Sequence, residues 1–181
     1  MLVSLVDRIL SVEPFREIKA VKNLSFRENY LRDHFPGYAL MPGALQLEAI
    51  IQAAQWLLRS SLGFPRADFQ PASVSNSRYS KYVRPGDQLL VTATLVGQTG
   101  ELYRFKGTGE VTGARVALCQ FELVRYEDSW SAASGLSEQS AEQLVRLQRD
   151  TFARLSRVPA AHSRPSAPPG EPAAESPGGA G

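Results

Sequence analysis

The side chains best suited to proton-transfer chemistry are a histidine and a glutamate 14 positions apart, His34 and Glu48. His34 lies in a segment without hydrophobic periodicity, where Pro36 and Gly37 predict a bend. Imidazole titrates near neutral pH and can act as a general base. A lone histidine is more often structural than catalytic, so this context alone leaves both interpretations open. The second histidine, His162, falls in a low-complexity segment and is expected to be solvated.

Glu48 lies on a predicted helix over residues 44–62, which is otherwise dense in Ala, Leu and Ile. An ionised carboxylate is rarely buried without a partner, and a carboxyl group in apolar surroundings can serve as a general acid. At about 100° per residue, Gln52 lies close to Glu48 on the helix surface. Gln55 and Arg59 continue this polar stripe, and near the helix end we expect them to face solvent.

The start of the same helix provides a third feature, a group of backbone donors that can bind an anion. The free N–H groups of its first turn, from Gly43 onward, can stabilise an anion close to Glu48. A base, an acid and an oxyanion-binding helix end together suit proton transfer next to a carbonyl group.

Two short strands are predicted before these residues. Residues 5–12 and 17–23 have strand-like patterns and are separated by a short turn, which predicts an antiparallel pair. Val21 and Lys22 interrupt the alternation, so a bulge or the end of the strand is expected there. Residues 25–42, which contain His34, are predicted to form a long irregular loop leading into the helix.

Four more strands are predicted after the helix, and the turns between the last three are short enough for antiparallel hairpins. They cover residues 72–83, 88–97, 102–111 and 115–126. The predicted fold class is therefore α+β, with an antiparallel sheet wrapped around a long central helix.

The C-terminal third adds to this core. Residues 137–157 predict an amphipathic helix, with Ser140 and Gln143 as a capping box, that packs on the outside or against a partner chain. The last 23 residues hold 6 Pro, 6 Ala, 4 Gly and 3 Ser, a composition typical of disorder. The predicted division is a domain over residues 1–126, a linker and helix over 127–158, and a disordered tail over 159–181.

Composition excludes several classes of function. Hydrophobic residues make up 43% of the 181 residues, and 20 basic against 18 acidic side chains leave a net charge of +2. This balance does not favour a nucleic-acid or membrane-surface protein. No apolar run suits a signal peptide or a membrane span, and the single Cys119 is expected to pack in the core. We therefore expect a cytoplasmic protein without a metal site, since no metal-spaced His cluster is present.

The motifs around the two candidate residues resemble those of a known family, the Glu-containing 3-hydroxyacyl-acyl-carrier-protein dehydratases of bacterial fatty acid synthesis. They are His34-Phe35-Pro36-Gly37, Met41-Pro42-Gly43, and Leu47-Glu48-Ala49 with Gln52. Further blocks at residues 6–10, 19–23, 84–87 and 104–107 follow in the same order, so the similarity covers roughly residues 4–126. The resemblance implies a hot-dog fold, here with an extra C-terminal helix.

The resemblance also implies a role for each matched residue. His34 would remove the C2 proton of a 3-hydroxyacyl thioester, and Glu48 would protonate the departing 3-hydroxyl group. The backbone N–H of Gly43 would bind the thioester oxygen, and Gln52 would orient the Glu48 carboxyl group. Phe35 and Pro42 would contribute to substrate binding.

The implied partner is acyl carrier protein, whose phosphopantetheine arm carries the substrate, and no separate cofactor is implied. The family builds its site across a homodimer interface, His from one chain and Glu from the other. Assembly beyond the dimer is left open.

Four positions depart from the family pattern: Asp33, Ala39, Ser75 and Tyr82. Asp33 places a negative charge beside His34, which would weaken a neutral base. Two alternatives to the dehydratase therefore stay open. One is a catalytically impaired acyl-binding or dimerisation subunit, and the other is a hot-dog acyl-thioesterase, which the intact His-to-Glu spacing disfavours.

Overall fold

The computed structural model describes residues 4–32, 34, 37–126 and 137–157. Their strands, in chain order, are β1 Arg8–Glu13, β2 Glu17–Asn23, β3 Asp68–Tyr79, β4 Gln88–Thr99, β5 Leu102–Val111 and β6 Ala114–Tyr126. The helices are α1 Gly43–Ser61 and α2 Glu138–Leu155, with a short 3-10 helix at Asn29–Leu31.

The six strands form one antiparallel sheet in the order β1-β2-β4-β5-β6-β3. Helix α1 packs against β2, β4 and β5 on one face of this sheet. Gly107 on β5 permits the close approach, because a Cβ atom there would overlap Cγ2 of Ile50 on the helix. The sheet wrapped around a central helix is the predicted hot-dog fold.

Helix α1 is central, as its apolar composition predicts. Only Ala44 of its 19 residues is exposed, and its core side chains include Ile50, Leu57 and Leu58. The helix ends where Gly63 adopts a positive φ of 73°, which a glycine accepts without strain.

Of the two alternatives predicted at Val21 and Lys22, the bulge is absent, and the end of the strand falls one residue later, at Asn23. Strand β2 pairs without interruption with β4 from Glu17 to Asn23, and the register shift lies instead in β1, between Ile9 and Ser11. The alternation fails because the Lys22 side chain is also buried, where it pairs with carboxylates.

Strand β3 begins earlier than predicted, at Asp68 rather than residue 72, and ends at Tyr79 rather than residue 83. Phe69 is fully buried, whereas every side chain from Gln70 to Tyr79 is exposed. Because β3 is the last strand of the sheet, its outer edge has no neighbouring strand among the described residues.

Helix α2 packs on the outside of the core. Phe152 contacts Trp56 and Phe64, with ring centroids 6.0 and 5.5 Å apart, near the end of α1. The cap is Ser137, whose hydroxyl oxygen accepts a hydrogen bond from the Ser140 N–H, so the predicted capping box starting at Ser140 is wrong. Residues 127–136 of the predicted linker and the predicted tail lie outside the described residues.

Neither helix of the described part of the chain is long and apolar enough to cross a membrane.

Candidate active site

His34 is placed by the loop that precedes α1. Its backbone N–H donates to the Tyr30 carbonyl oxygen at 3.3 Å, at the end of the short 3-10 helix. Further along, the Met41 N–H donates to the Val83 carbonyl oxygen at 2.8 Å, which ties the loop to the segment between β3 and β4. The loop is therefore held at both ends.

A buried lysine anchors the start of this loop. The Nζ atom of Lys22 lies 2.8 Å from Oε1 of Glu28 and 3.3 Å from Oδ1 of Asp7. The lysine side chain is only 6% exposed, so both carboxylates compensate a charge that has lost its hydration. Burial, with the charges of Glu28 and Asp7, also raises the pKa of neighbouring Tyr30.

His34 lines a cavity of about 530 Å³ at the start of α1. The cavity is bounded by the loop, the first turns of the helix and the segment that follows β3. Its lining residues are His34, Leu40, Met41, Gly43, Gln46, Tyr79, Ser80, Lys81 and Tyr82. This is the space in which an acyl group could meet the histidine.

Gly43 forms the cavity wall at the first residue of α1. A Cβ atom at this position would lie 2.9 Å from Cδ2 of Tyr79, so the tyrosine ring packs directly on the glycine. The first-turn N–H groups of a helix have no intrahelical acceptor, and the dipole of the helix favours negative charge there. The Gly43 N–H therefore suits a developing oxyanion. Burial raises the pKa of Tyr79, which keeps its hydroxyl group neutral beside the cavity.

Glu48 is held by a chain of hydrogen bonds. The Nε2 group of Gln52 donates to Oε1 of Glu48 at 2.9 Å, and the backbone N–H of Leu5 donates to Oε1 of Gln52 at 2.8 Å. Leu5 fixes the amide orientation, because its N–H requires the oxygen of the amide and leaves the NH₂ group for the carboxylate. The predicted orienting role of Gln52 stays a prediction, and this geometry supports it.

The rest of the polar stripe does not face solvent as expected. Gln55 donates through Nε2 to the Phe69 carbonyl oxygen at 2.8 Å. Arg59 pairs with Asp68 at 2.8 Å, and its side chain is 11% exposed. The expectation fails because the early start of β3 covers this end of the helix.

Within one chain the two candidate catalytic residues do not line the same described cavity. Gln46 lines the His34 cavity, and Glu48, two residues on, projects about 200° around the helix from it. Glu48 does not belong to the described lining of that cavity.

The remaining predicted positions are placed as follows. Pro42 caps α1, and its carbonyl oxygen accepts from the N–H groups of Leu45 and Gln46 at 3.0 and 3.1 Å. It orders the first turn and does not line the described cavity. Phe35, like Asp33, lies outside the described residues.

Sequence reasoning missed Gln46 and Tyr79 as cavity residues. The available signal for Gln46 was its polar side chain on an apolar helix, outside the stripe that contains Glu48. Tyr79 carries no local signal, because only the return of β3 toward the helix start brings it to Gly43.

At the mouth of the cavity, Tyr82 is 65% exposed and packs edge-on against Tyr38, with ring centroids 6.3 Å apart. The Arg84 guanidinium group lies 5.2 Å above the Tyr38 ring and donates to its hydroxyl group. Tyr82, one of the four departures from the family pattern, thus makes an aromatic contact at this mouth. Of the other departures, Ser75 is exposed on β3 and Ala39 is half-buried.

The described residues contain no cluster of three or more His, Cys, Asp or Glu side chains that could hold a metal ion.

A family model described as a FabA-like domain matches residues 1–120. A 3-hydroxyacyl-[acyl-carrier-protein] dehydratase FabZ of Polaromonas sp. is 39% identical over 123 residues, which cover 66% of this chain and 83% of the relative. The enzyme of the same name from Thiobacillus denitrificans is 37% identical over 121 residues, which cover 62% of this chain and 80% of the relative.

Solved structures share the fold at low sequence identity. The dehydratase heterocomplex ApeI:P from Xenorhabdus doucetiae matches with a TM-score of 0.56 at 15% identity, covering 78% of this chain and 88% of that one. The structure of smu.793 from Streptococcus mutans UA159 bound to acetyl CoA matches with a TM-score of 0.54 at 17% identity, covering 70% and 93%.

Proposed function

The chain belongs to the FabA-like family, and we propose that it dehydrates 3-hydroxyacyl thioesters on acyl carrier protein to trans-2-enoyl thioesters in fatty acid synthesis. This makes it a hydro-lyase. One observation carries the assignment to a site: His34 lines a cavity at the start of α1, and the same helix holds Glu48 by a hydrogen bond from Gln52.

The proposed reaction moves two protons, one from C2 of the substrate and one to the oxygen of its 3-hydroxyl group. His34 takes the C2 proton of the substrate, which leaves enolate character on the thioester oxygen. The Gly43 N–H stabilises that oxygen at the helix terminus. Glu48 gives its proton to the 3-hydroxyl group, the C3–O bond breaks, and water leaves. The electron pair of the broken C2–H bond becomes the second bond between C2 and C3, in the trans configuration. After the product leaves, proton exchange with solvent returns His34 to its neutral form and Glu48 to its protonated form.

We propose that two chains form each site, as a homodimer. One chain contributes the cavity with His34, and the other contributes Glu48, because Glu48 does not belong to the described lining of the His34 cavity in its own chain. Strand β3 supports this assembly, since its outer edge and its exposed side chains from Gln70 to Tyr79 are available for pairing with a second copy. Phe35 and Pro42 keep their proposed substrate-binding role. Pro42 would act indirectly, because it orders the first turn of the helix beside the cavity.

The substrate's carrier is proposed to approach the mouth of the cavity. Lys81 is exposed there beside Tyr82, and Arg84 follows on the same segment. A phosphopantetheine arm bears one phosphodiester charge, which basic side chains attract. The arm belongs to the substrate, and the proposed chemistry draws on no further cofactor.

The test follows the absorbance of the enoyl thioester with 3-hydroxyacyl or 2-enoyl substrates on acyl carrier protein. Wild-type protein should interconvert the two, and His34→Ala and Glu48→Gln should each lower turnover at least about a hundredfold. Glu13→Gln is the matched control, because Glu13 is an exposed carboxylate paired with Arg16 at the end of β1. A folded wild-type protein without turnover would instead support the acyl-binding subunit, and release of free acid would support a thioesterase.

A further inference from the structure

Gln46 is a buried glutamine that lines the His34 cavity. Its side chain lies on the second turn of α1, and the residue is 2% exposed. Its Nε2 group donates to the Met41 carbonyl oxygen at 3.4 Å. Because a carbonyl group can only accept, this contact directs the NH₂ group toward Met41 and the Oε1 atom away from it.

The Oε1 atom of Gln46 has no hydrogen-bond partner among the described residues. The two glutamines that follow on the helix differ in this respect. Gln52 bonds to Leu5 and Glu48 through its two amide atoms, and Gln55 bonds to the Phe69 carbonyl oxygen. The Oε1 atom of Gln46 is itself buried, so the side chain must rotate within the cavity wall to present it. An unsatisfied buried acceptor costs stability, so a donor that then reaches it from the cavity would gain from the contact.

We propose that Oε1 of Gln46 accepts a hydrogen bond from an N–H or O–H group of the acyl-pantetheine substrate. This inference rests on the proposed function, and it adds a binding residue to the same site. Gln46 lies one helical turn beyond Gly43 and lines the same cavity as His34. A carboxamide does not titrate, so the residue positions the substrate and takes no part in proton transfer.

Two groups of the substrate could donate a hydrogen bond to Oε1 of Gln46. The 3-hydroxyl group carries an O–H donor, which the enoyl product and a saturated acyl chain lack. The pantetheine arm carries amide N–H donors, which every acyl thioester of the arm shares. Comparison of hydroxylated with saturated ligands therefore distinguishes the two sources.

The experiment measures affinity for 3-hydroxybutyryl-pantetheine and butyryl-pantetheine by calorimetry, using the His34→Ala protein so that neither ligand reacts. Gln46→Met keeps the length of the side chain and removes the acceptor. Loss of one hydrogen bond should raise Kd about tenfold. A rise for both ligands assigns the donor to the arm amide, and a rise for the hydroxylated ligand alone assigns it to the 3-hydroxyl group.

The control is Gln55→Met, which removes a glutamine on the same helix that is bonded away from the cavity. It should lower the melting temperature and leave both Kd values unchanged. Gln46→Met should lower the melting temperature less than Gln55→Met, since it removes an unsatisfied acceptor together with a long hydrogen bond of 3.4 Å to Met41.

Unchanged Kd values for both ligands in Gln46→Met would overturn the inference. Turnover by wild-type protein is measured separately and tests the proposed function alone. Failure of the two claims can thus be distinguished.

Discussion

Gln52 joins Glu48, the proposed catalytic acid, to the segment that precedes β1. It donates to Oε1 of Glu48 at 2.9 Å while its own oxygen accepts from the Leu5 N–H at 2.8 Å. The N-terminal segment before β1 therefore sets the direction of the amide that holds the carboxyl group. A side-chain acid with one fixed rotamer is better placed to protonate a leaving group than a freely rotating one.

Gln52→Leu should lower kcat about tenfold, because it removes the donor that fixes Glu48. Gln52→Glu should lower kcat further, since it keeps the acceptor for Leu5 but places a second carboxylate against Glu48. Steady-state kinetics of enoyl hydration measures both variants. If kcat of Gln52→Leu stays within about twofold of wild type, the hydrogen bond does not position Glu48 for catalysis.

Lys22→Met should destabilise the protein by about 2 kcal/mol, because Glu28 and Asp7 would lose the cation that compensates them in a buried setting. Denaturant unfolding measures the change. Lys19→Met is the control on the same strand, since its ion pair with Glu17 is half-exposed and should contribute less than about 1 kcal/mol. Equal effects of the two substitutions would show that the buried network does not anchor the loop.

Phe152→Ala should destabilise the protein by about 2 kcal/mol, since it removes the ring that contacts Trp56 and Phe64. Leu147→Ala on the same helix should change stability by less than about 0.5 kcal/mol, because Leu147 is 56% exposed. Thermal and denaturant unfolding distinguish the two. A negligible effect of Phe152→Ala would show that α2 does not stabilise the core.

Cys119 should make the stability of the folded protein depend on pH in the alkaline range. Burial raises the pKa of its thiol to about 11, despite an opposing backbone hydrogen bond from Gly107. The unfolded thiol ionises near its ordinary value of 9.0, so the unfolded state loses its proton first as pH rises. Stability should therefore fall between about pH 9 and 11. Tyrosines with raised pKa values add to the same trend, so the measure is the difference between wild type and Cys119→Ala.

The native thiol should also react slowly with a thiol reagent at pH 8 and rapidly after unfolding. A thiol that reacts at the same rate in both states would contradict its burial.

The parts of the fold that sequence predicted best depend on local patterns. Helix α1 and strands β2 and β5 follow from periodicity and turn residues, and the motifs around His34 and Glu48 are contiguous in the chain. The start of β3 was missed because it is held by contacts with Arg59 and Gln55, which lie on another element.

Long-range contacts also explain what sequence missed at the site. The alternation at Lys22 fails because its carboxylate partners lie on other segments. Tyr79 meets Gly43, and Gln46 meets the cavity, only after the sheet has closed around the helix. Residue spacing predicts the acid and the base, whereas the cavity that His34 lines is a property of the assembled fold.

The central claim, that His34 and Glu48 of two different chains form one dehydratase site, is tested most directly by a heterodimer of two inactive variants. His34→Ala and Glu48→Gln chains are co-expressed with different tags, and the mixed dimer is isolated by purification on both. One of its two sites would hold both native residues, so it should regain about half of the wild-type rate of enoyl-thioester interconversion while each homodimer stays inactive. A mixed dimer as inactive as the two homodimers, beside an active wild type, would contradict the shared site.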